Sequence, residues 1–527
     1  MKRLPPRLLA LGLTNSVLCN FVATFPYTVL NVPQDVLEGF VRRAFQNRYD
    51  YELSAGALAT LWGFFVCIWD IGGMIGAVLT AYLDEKFGRK DTLFIFCNLV
   101  HLFGCVMTLL AKPTNSFELL LLGRLIFGVS SGVSSTSMGV FVTECSPDQY
   151  RGFLGNFSLC LQPIICIIAM VLGLPECLGN ADNWPYLLSF SGLVSFTILA
   201  ITPLFRESPK YLYIECNDTV RAAESIRFYY GEREGVENLR NILDEYDQEA
   251  KLASVGREAS LRRILSTRHL RIPLLLSVVA NLAQDTIGSD VVSNYSTDIM
   301  ESLNGVPADD PNASLRFMLT TVFTLIPGIV SAIMATGLAE YAGRKFLLIS
   351  GLTGAVLANI VLMLANFMEP SLLGTDSGRN ILRLTSAIAF GVFNFSYYFG
   401  PASVPQYIYG EITPTASRST VAAAAMISNY GGSTVYSLVY PPLSQIAGAY
   451  SFLTTIIPTL VCIVVLAKWL PEPKGKSVDE IVNAWIDKKH SGDGINDDGL
   501  LDSSDTAPLL DEDMDNDSVD QSNSILA

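Results

Sequence analysis

Glu85-Lys86-Phe87-Gly88-Arg89-Lys90 and Glu340-Tyr341-Ala342-Gly343-Arg344-Lys345 are two copies of one charged hexapeptide, 255 residues apart. Each ends one long apolar segment and precedes another, so each reads as a tight turn between two membrane spans. Glycine in fourth place lets the backbone reverse where a side chain would not fit. The acid and the two basic groups are placed to pair with each other and with helix ends at the water boundary. One such hexapeptide is weak evidence; two imply an internal repeat.

Composition agrees with a membrane chain. Half of the 527 residues are hydrophobic and 16% are charged, against roughly 25% charged in a soluble protein. The apolar residues come in long runs and do not alternate with polar ones, which implies a helical polytopic protein and excludes a β-barrel. The net charge of −15 is concentrated at one end: residues 491–520 hold eleven acids, and no Lys or Arg follows Lys489. This is a solvated acidic tail with no nucleic-acid surface. The ten cysteines are scattered, most of them in apolar segments, with Cys177 alone in an expected external loop. No disulfide framework is expected. Met1–Arg7 is basic and lacks a small-residue cleavage site, so no removable signal peptide is expected.

Twelve spans are expected, at about 8–30, 54–83, 92–111, 118–143, 153–175, 184–205, 271–302, 315–340, 346–368, 381–409, 418–441 and 451–470; each is near the ~20 residues a bilayer requires. With both termini cytoplasmic, 27 of the 35 Lys and Arg fall on inner segments and seven on outer loops. That bias sets the orientation. The expected organisation is a six-helix bundle over 1–205, a cytoplasmic helical linker over 206–270, a second six-helix bundle over 271–470, and an acidic, largely disordered tail over 471–527. Within the linker, Thr219–Tyr230 and Val236–Lys251 read as short amphipathic helices.

The repeat extends further. Glu144-x-x-Pro147-x-x-x-Arg151 matches Glu411-x-x-Pro414-x-x-x-Arg418, 267 residues on, and Glu207-Ser208-Pro209-Lys210 is echoed by Glu472-Pro473-Lys474, about 265 on. All fall on the expected cytoplasmic face at matching places, as in two halves related by an axis along the membrane normal. Together with Gly72-Gly73-Met74-Ile75-Gly76, Gly123-Arg124, Arg151-Gly152, Gly400-Pro401 and Pro471-Glu472-Pro473-Lys474-Gly475-Lys476, these stretches resemble the sugar porter family of the major facilitator superfamily, specifically its animal facilitative glucose transporter branch. The resemblance runs from about Leu8 to Ile481. It implies an all-α membrane protein of twelve transmembrane helices in two pseudo-symmetric six-helix bundles.

Two halves that rock about a central site need contacts that hold one face shut and can be exchanged. Glu85, Arg89, Glu144, Arg151, Glu340, Arg344, Glu411 and Arg418 supply opposite charges at inner helix ends, the same set in both halves, and are read as gating residues. Ordinary inner-face anchoring would not require a repeated acid-to-base spacing.

Polar groups at membrane depth usually line a cavity. The seventh span is richest, with Asn281, Gln284, Asp285, Ser289, Asp290, Ser293 and Asn294. Asp285 and Asp290 lie ~140° apart on a straight helix, and face one cavity only if Gly288 loosens the helix. By resemblance, Gln284 falls on the first of the family's paired glutamines. Asp285 replaces the second, and Asp290 replaces an asparagine further on. Asn429 matches a sugar-binding asparagine. Tyr430 and Gln406 stand where tryptophans are usual, Tyr398 where glucose carriers have glutamate, and Gly328 where they have asparagine. Leu159 replaces a glutamine, with Gln162 one turn away as a partial substitute. Amides suit sugars because each offers a donor and an acceptor to a hydroxyl; fewer amides and two added acids should change the preference. The carboxyls of Asp285, Asp290 and Asp70 are also candidates for proton coupling, with Arg124 as partner. Proton-coupled bacterial relatives resemble one another in a span-one aspartate, whose place is Pro26 here, so facilitated diffusion is the expected mode.

Asp505-x-x-x-Leu509-Leu510 resembles an acidic dileucine signal for sorting adaptors, implying an endosomal or lysosomal pool beside the plasma membrane. Asn312-Ala-Ser314 is the N-glycosylation pattern on an expected outer loop. The expected function is movement of a hexose-like sugar or polyol by alternating access, without cofactor or metal. The alternatives are a proton-coupled or non-sugar carrier, or a transporter-like nutrient sensor signalling through its tail. No arrangement of nucleophile, metal ligands or phosphate loop suggests an enzyme.

Overall fold

The computed structural model describes residues 5–474 and 480–481, apart from 31, 232–238, 245, 248–260, 267, 290–312, 373–375 and 414–416. Asp290, Asn312, Asp505, Leu509 and Leu510 lie outside these residues, as do the side chains of Arg151, Glu340 and Arg418.

The described chain is helical throughout its apolar segments. Span one is Pro6–Thr28, three Arg89–Ala111 and six Trp184–Leu204. Span two is Ala55–Phe87, four Phe117–Cys145 and five Asp148–Leu172. Seven is described over Arg268–Thr286, eight is Ala313–Ala342 and nine Arg344–Leu372. Ten is Asp376–Phe399, continued after Gly400-Pro401 by Pro405–Ile412; eleven is Arg418–Ala447 and twelve Gly448–Trp469. Seven of these helices are long and apolar enough on composition alone to cross a membrane. Among the described residues, Leu161–Leu172 of span five and Leu325–Leu338 of span eight are shorter apolar helices.

Exposed apolar side chains cover the outside of the bundle, among them Leu193, Phe196, Ile333, Leu384 and Val464. A surface of this kind is solvated by lipid tails, so the spans must associate through close packing and polar contacts. Spans two and four show how. A Cβ on Gly128 would lie 2.0 Å from the Trp69 carbonyl oxygen, and one on Gly72 would lie 2.3 Å from that of Leu125. Only glycine lets the two backbones meet at this distance.

Span seven breaks where its sequence allows. Its helix ends at Thr286, and Gly288 adopts φ +85°, the left-handed region that glycine enters without strain. In the segment after span six, Thr219–Tyr230 is a helix with the expected limits, capped by the Asp218 carboxylate.

Candidate functional site

Two structures repeat at the motif-bearing ends of the halves. Gly88 and Gly343 turn with φ +93° and +87°. After each turn a carboxylate caps the next helix. Glu207 Oε1 accepts from the Lys90 backbone N–H at 2.8 Å and from that of Ser208 at 2.8 Å. Glu472 accepts from Arg344 N–H at 2.8 Å and Lys345 N–H at 3.0 Å. A Cβ on Gly88 would lie 2.5 Å from Glu207 Oε2, and one on Gly343 would lie 2.6 Å from Glu472 Oε2. The glycine is therefore needed twice, for its φ and for the acid above it.

The arginine of each turn then reaches the acid at the end of the fourth or tenth span. Arg89 Nε lies 3.4 Å from Glu144 Oε2. Arg344 embraces Glu411 with Nη2 at 3.0 Å and Nε at 3.1 and 3.2 Å from the two carboxylate oxygens. Glu144 also accepts from Ser208 Oγ at 2.5 Å, and the Arg89 guanidinium sits 4.9 Å from the Tyr211 ring centre. Both ion pairs join elements of one half, so in this conformation each braces its own bundle. Glu85 stands apart. Its side chain is exposed, and it is its backbone carbonyl that accepts from Tyr211. The buried acid of this turn is Asp84, which accepts from Ser137 at 2.7 Å while its carbonyl accepts from Arg89. Burial pushes the Glu207 carboxyl above its ordinary value of 4.5, although hydrogen bonds from the Lys90 and Ser208 N–H groups pull the other way.

The central residues form a second cluster. Asn429 Nδ2 donates to Asp285 Oδ1 at 3.0 Å, drawing spans eleven and seven together. Gln284 Nε2 donates to the Tyr397 hydroxyl at 3.1 Å, which leaves its buried Oε1 without a hydrogen-bond partner. Tyr430 lies over Gly73 of span two, where a Cβ would be 2.6 Å from the ring, and meets Trp69 edge-on at 6.0 Å. Asp70 accepts from Ser433 Oγ at 2.7 Å. Arg124 is buried, donates to the Pro26 carbonyl and faces the Phe65 ring at 5.5 Å.

Gln284, Asp285, Asn429 and Tyr430 are thus adjacent, with Asp70 and Arg124 on the facing spans. The remaining residues singled out in the sequence sit elsewhere. Tyr398 is packed against Gly328, whose Cβ would lie 2.7 Å from its ring, so the two departures from the glucose-carrier pattern compensate in volume. Gln162 is half-buried beside Pro163. Gln406 is half-buried in the first turn of Pro405–Ile412. Sequence reasoning missed Tyr397, Ser433 and the capping role of Glu207 and Glu472. For the last two the repeated Glu-(Ser)-Pro-Lys was an available signal; for Tyr397 and Ser433 none was.

Twelve helices in two like bundles, with repeated charged turns and a polar cluster at their meeting place, define a multi-pass membrane transporter of the major facilitator fold. The chain belongs to the family described as "Sugar (and other) transporter", whose profile matches residues 13–485. It is 28% identical over 474 residues to solute carrier family 2, facilitated glucose transporter member 1 of Gallus gallus, covering 90% of this chain and 92% of that one. To member 4 of Homo sapiens it is 30% identical over 489 residues, covering 90% of each. In fold it resembles the proton:xylose symporter XylE bound to 6-bromo-6-deoxy-D-glucose, with a TM-score of 0.72 at 19% identity over 91% of this chain and 99% of that one.

Proposed function

We propose that the protein carries a hexose-like sugar or polyol across the membrane by facilitated diffusion, through alternating access of a site between the two bundles. The observation that carries the substrate class is Gln284: its amide is oriented by Tyr397, and its buried Oε1 is spare. A buried acceptor without a partner costs free energy until a hydroxyl arrives. Asn429 and Asp285 beside it offer further groups to hydroxyls, and the named relatives are facilitated glucose transporters. In this reading Arg89–Glu144 and Arg344–Glu411, with Arg151, Glu340, Glu85 and Arg418, stiffen and gate the cytoplasmic ends. Uptake of labelled hexoses and polyols by reconstituted protein tests it: saturable flux that is weakened in Gln284→Ala supports the assignment, and absence of flux for every polyhydroxylated solute overturns it.

A proton-linked variant has one observation in its favour, the two buried carboxylates Asp70 and Asp285 at the central cluster. Flux equal at pH 5.5 and 7.5 removes it. The division at 205, 270 and 470, cytoplasmic termini, residence in the plasma membrane with an endosomal pool set by Asp505, Leu509 and Leu510, a glycan on Asn312, and the absence of enzymatic activity complete the proposal.

A further inference from the structure

A helix that ends inside the bilayer leaves its last four carbonyls without intrahelical donors, and at that depth the protein must supply others. Span seven ends in this way at Thr286, two residues beyond Gln284. Three of those carbonyls are met from within the same short stretch. The Thr286 hydroxyl donates to the Ala283 carbonyl at 3.2 Å, Ser289 Oγ to that of Gln284 at 3.0 Å, and the Gly288 N–H to that of Asp285 at 2.8 Å. The Ile287 carbonyl, inside the break, has a donor from another span. Asn359 of Arg344–Leu372 reaches it with Nδ2 at 2.7 Å, the short end of the range for such a bond.

Asn359 stands near the middle of a 29-residue span and is 2% exposed. An amide at that depth is costly unless it has work to do. Its other neighbour is Thr455 Oγ1 of span twelve, 3.5 Å from Nδ2. Span twelve touches the break a second time, where the Thr459 and Thr286 hydroxyls meet at 3.1 Å. The Ile287 side chain is buried in one apolar cluster with Ala355 and Ala358 of span nine and Cys462 of span twelve. That packing brings the elements together, and the directional amide bond selects one height and rotation of the broken end.

We propose that Asn359 is a positioning residue of the solute site: its amide holds the broken end of span seven against span nine, and so sets where Gln284 presents its spare Oε1. The role rests on the reading of Gln284 as a solute contact. Gln284 lies within the last three residues of its helix, so a shift of the break moves it directly. Without the donor, arrangements that carry Gln284 elsewhere gain population, and apparent affinity falls with the fraction of molecules whose site is assembled. For a buried hydrogen bond the fall is about tenfold.

Hexose uptake by reconstituted full-length protein and hydrogen exchange of the solute-free protein test this together. Asn359→Leu keeps the volume and removes the donor. It should raise the half-saturation concentration about tenfold, with a much smaller change in maximal rate at matched protein amounts. Exchange over residues 283–289 should quicken while that of spans one to six stays as in wild type. In a Gln284→Ala background the same substitution should add much less, because the two residues act in series. Asn359→Ala, which cannot clash, decides the matter if the leucine variant does not fold. A half-saturation concentration within about twofold of wild type, less than the loss of a buried hydrogen bond, overturns the proposal. So does an equal shift with and without Gln284, which would reduce Asn359 to packing. Quickened exchange at the break in a protein that moves no polyhydroxylated solute, wild type included, would count against the sugar reading and leave the anchor standing.

Discussion

Gln284 and Asn429 make different demands on a solute. Gln284 has a spare acceptor, whereas the Asn429 Nδ2 already donates to Asp285. Gln284→Ala should raise the half-saturation concentration of a hexose about tenfold, the usual worth of a hydrogen bond lost at a buried site. Asn429→Ala should do more, since it also releases the Asp285 carboxylate. Transport kinetics with matched protein amounts decide this. Glu207 gives a pH signature of its own. It holds a proton more tightly when folded than its ordinary value of 4.5. In the window above 4.5 the native state therefore binds more protons than the unfolded one, and stability falls as pH rises through it. The unfolding midpoint of detergent-purified protein should decline over that window. Glu207→Gln, which keeps a carbonyl for the Lys90 N–H, should flatten the decline, and a profile indistinguishable from wild type would refute the cause given.

At the level of elements, the contact of spans two and four depends on hydrogen atoms in place of side chains. Gly128→Ala puts a methyl group 2.0 Å from the Trp69 carbonyl oxygen, so the helices must part along their whole contact. Overpacking of this kind costs about 1–3 kcal/mol, and the thermal midpoint should fall accordingly. Gly139, with open space about its Cβ position, is the control: Gly139→Ala should be neutral or slightly stabilising. The charged turns behave differently. Gly88→Ala meets both an unfavourable φ and the Glu207 carboxylate, and should displace the cap of the following helix.

Across the whole molecule, the ion pairs and the contact between the bundles lie at different depths. Arg89–Glu144 and Arg344–Glu411 brace each bundle at one end, while Asp70–Ser433 joins spans two and eleven at mid-span. Neutralising Arg89 or Arg344 should change transport rate while leaving insertion intact, because each pair spans only one half. Initial rates normalised to surface protein measure this, and unchanged rates would reduce the pairs to anchors. Membrane-impermeant thiol labelling of Arg89→Cys and Arg344→Cys should place both on one side of the bilayer. Labelling from opposite sides would contradict the parallel repeat.

The number and order of spans, the repeated turns and the family were legible in the chain, because hydropathy and glycine requirements are local properties that survive in a linear reading. The helix Thr219–Tyr230 and the break near Gly288 were legible for the same reason. Which acid serves the first turn was not. Asp84 and Glu85 are neighbours in sequence, and only the direction of the helix buries one and exposes the other. Nor could the chain show that Tyr398 fills the space left by Gly328, that Tyr397 orients Gln284, or that Ser433 meets Asp70. Those contacts join residues from 70 to more than 360 positions apart, and their partners are chosen by the packing of whole helices.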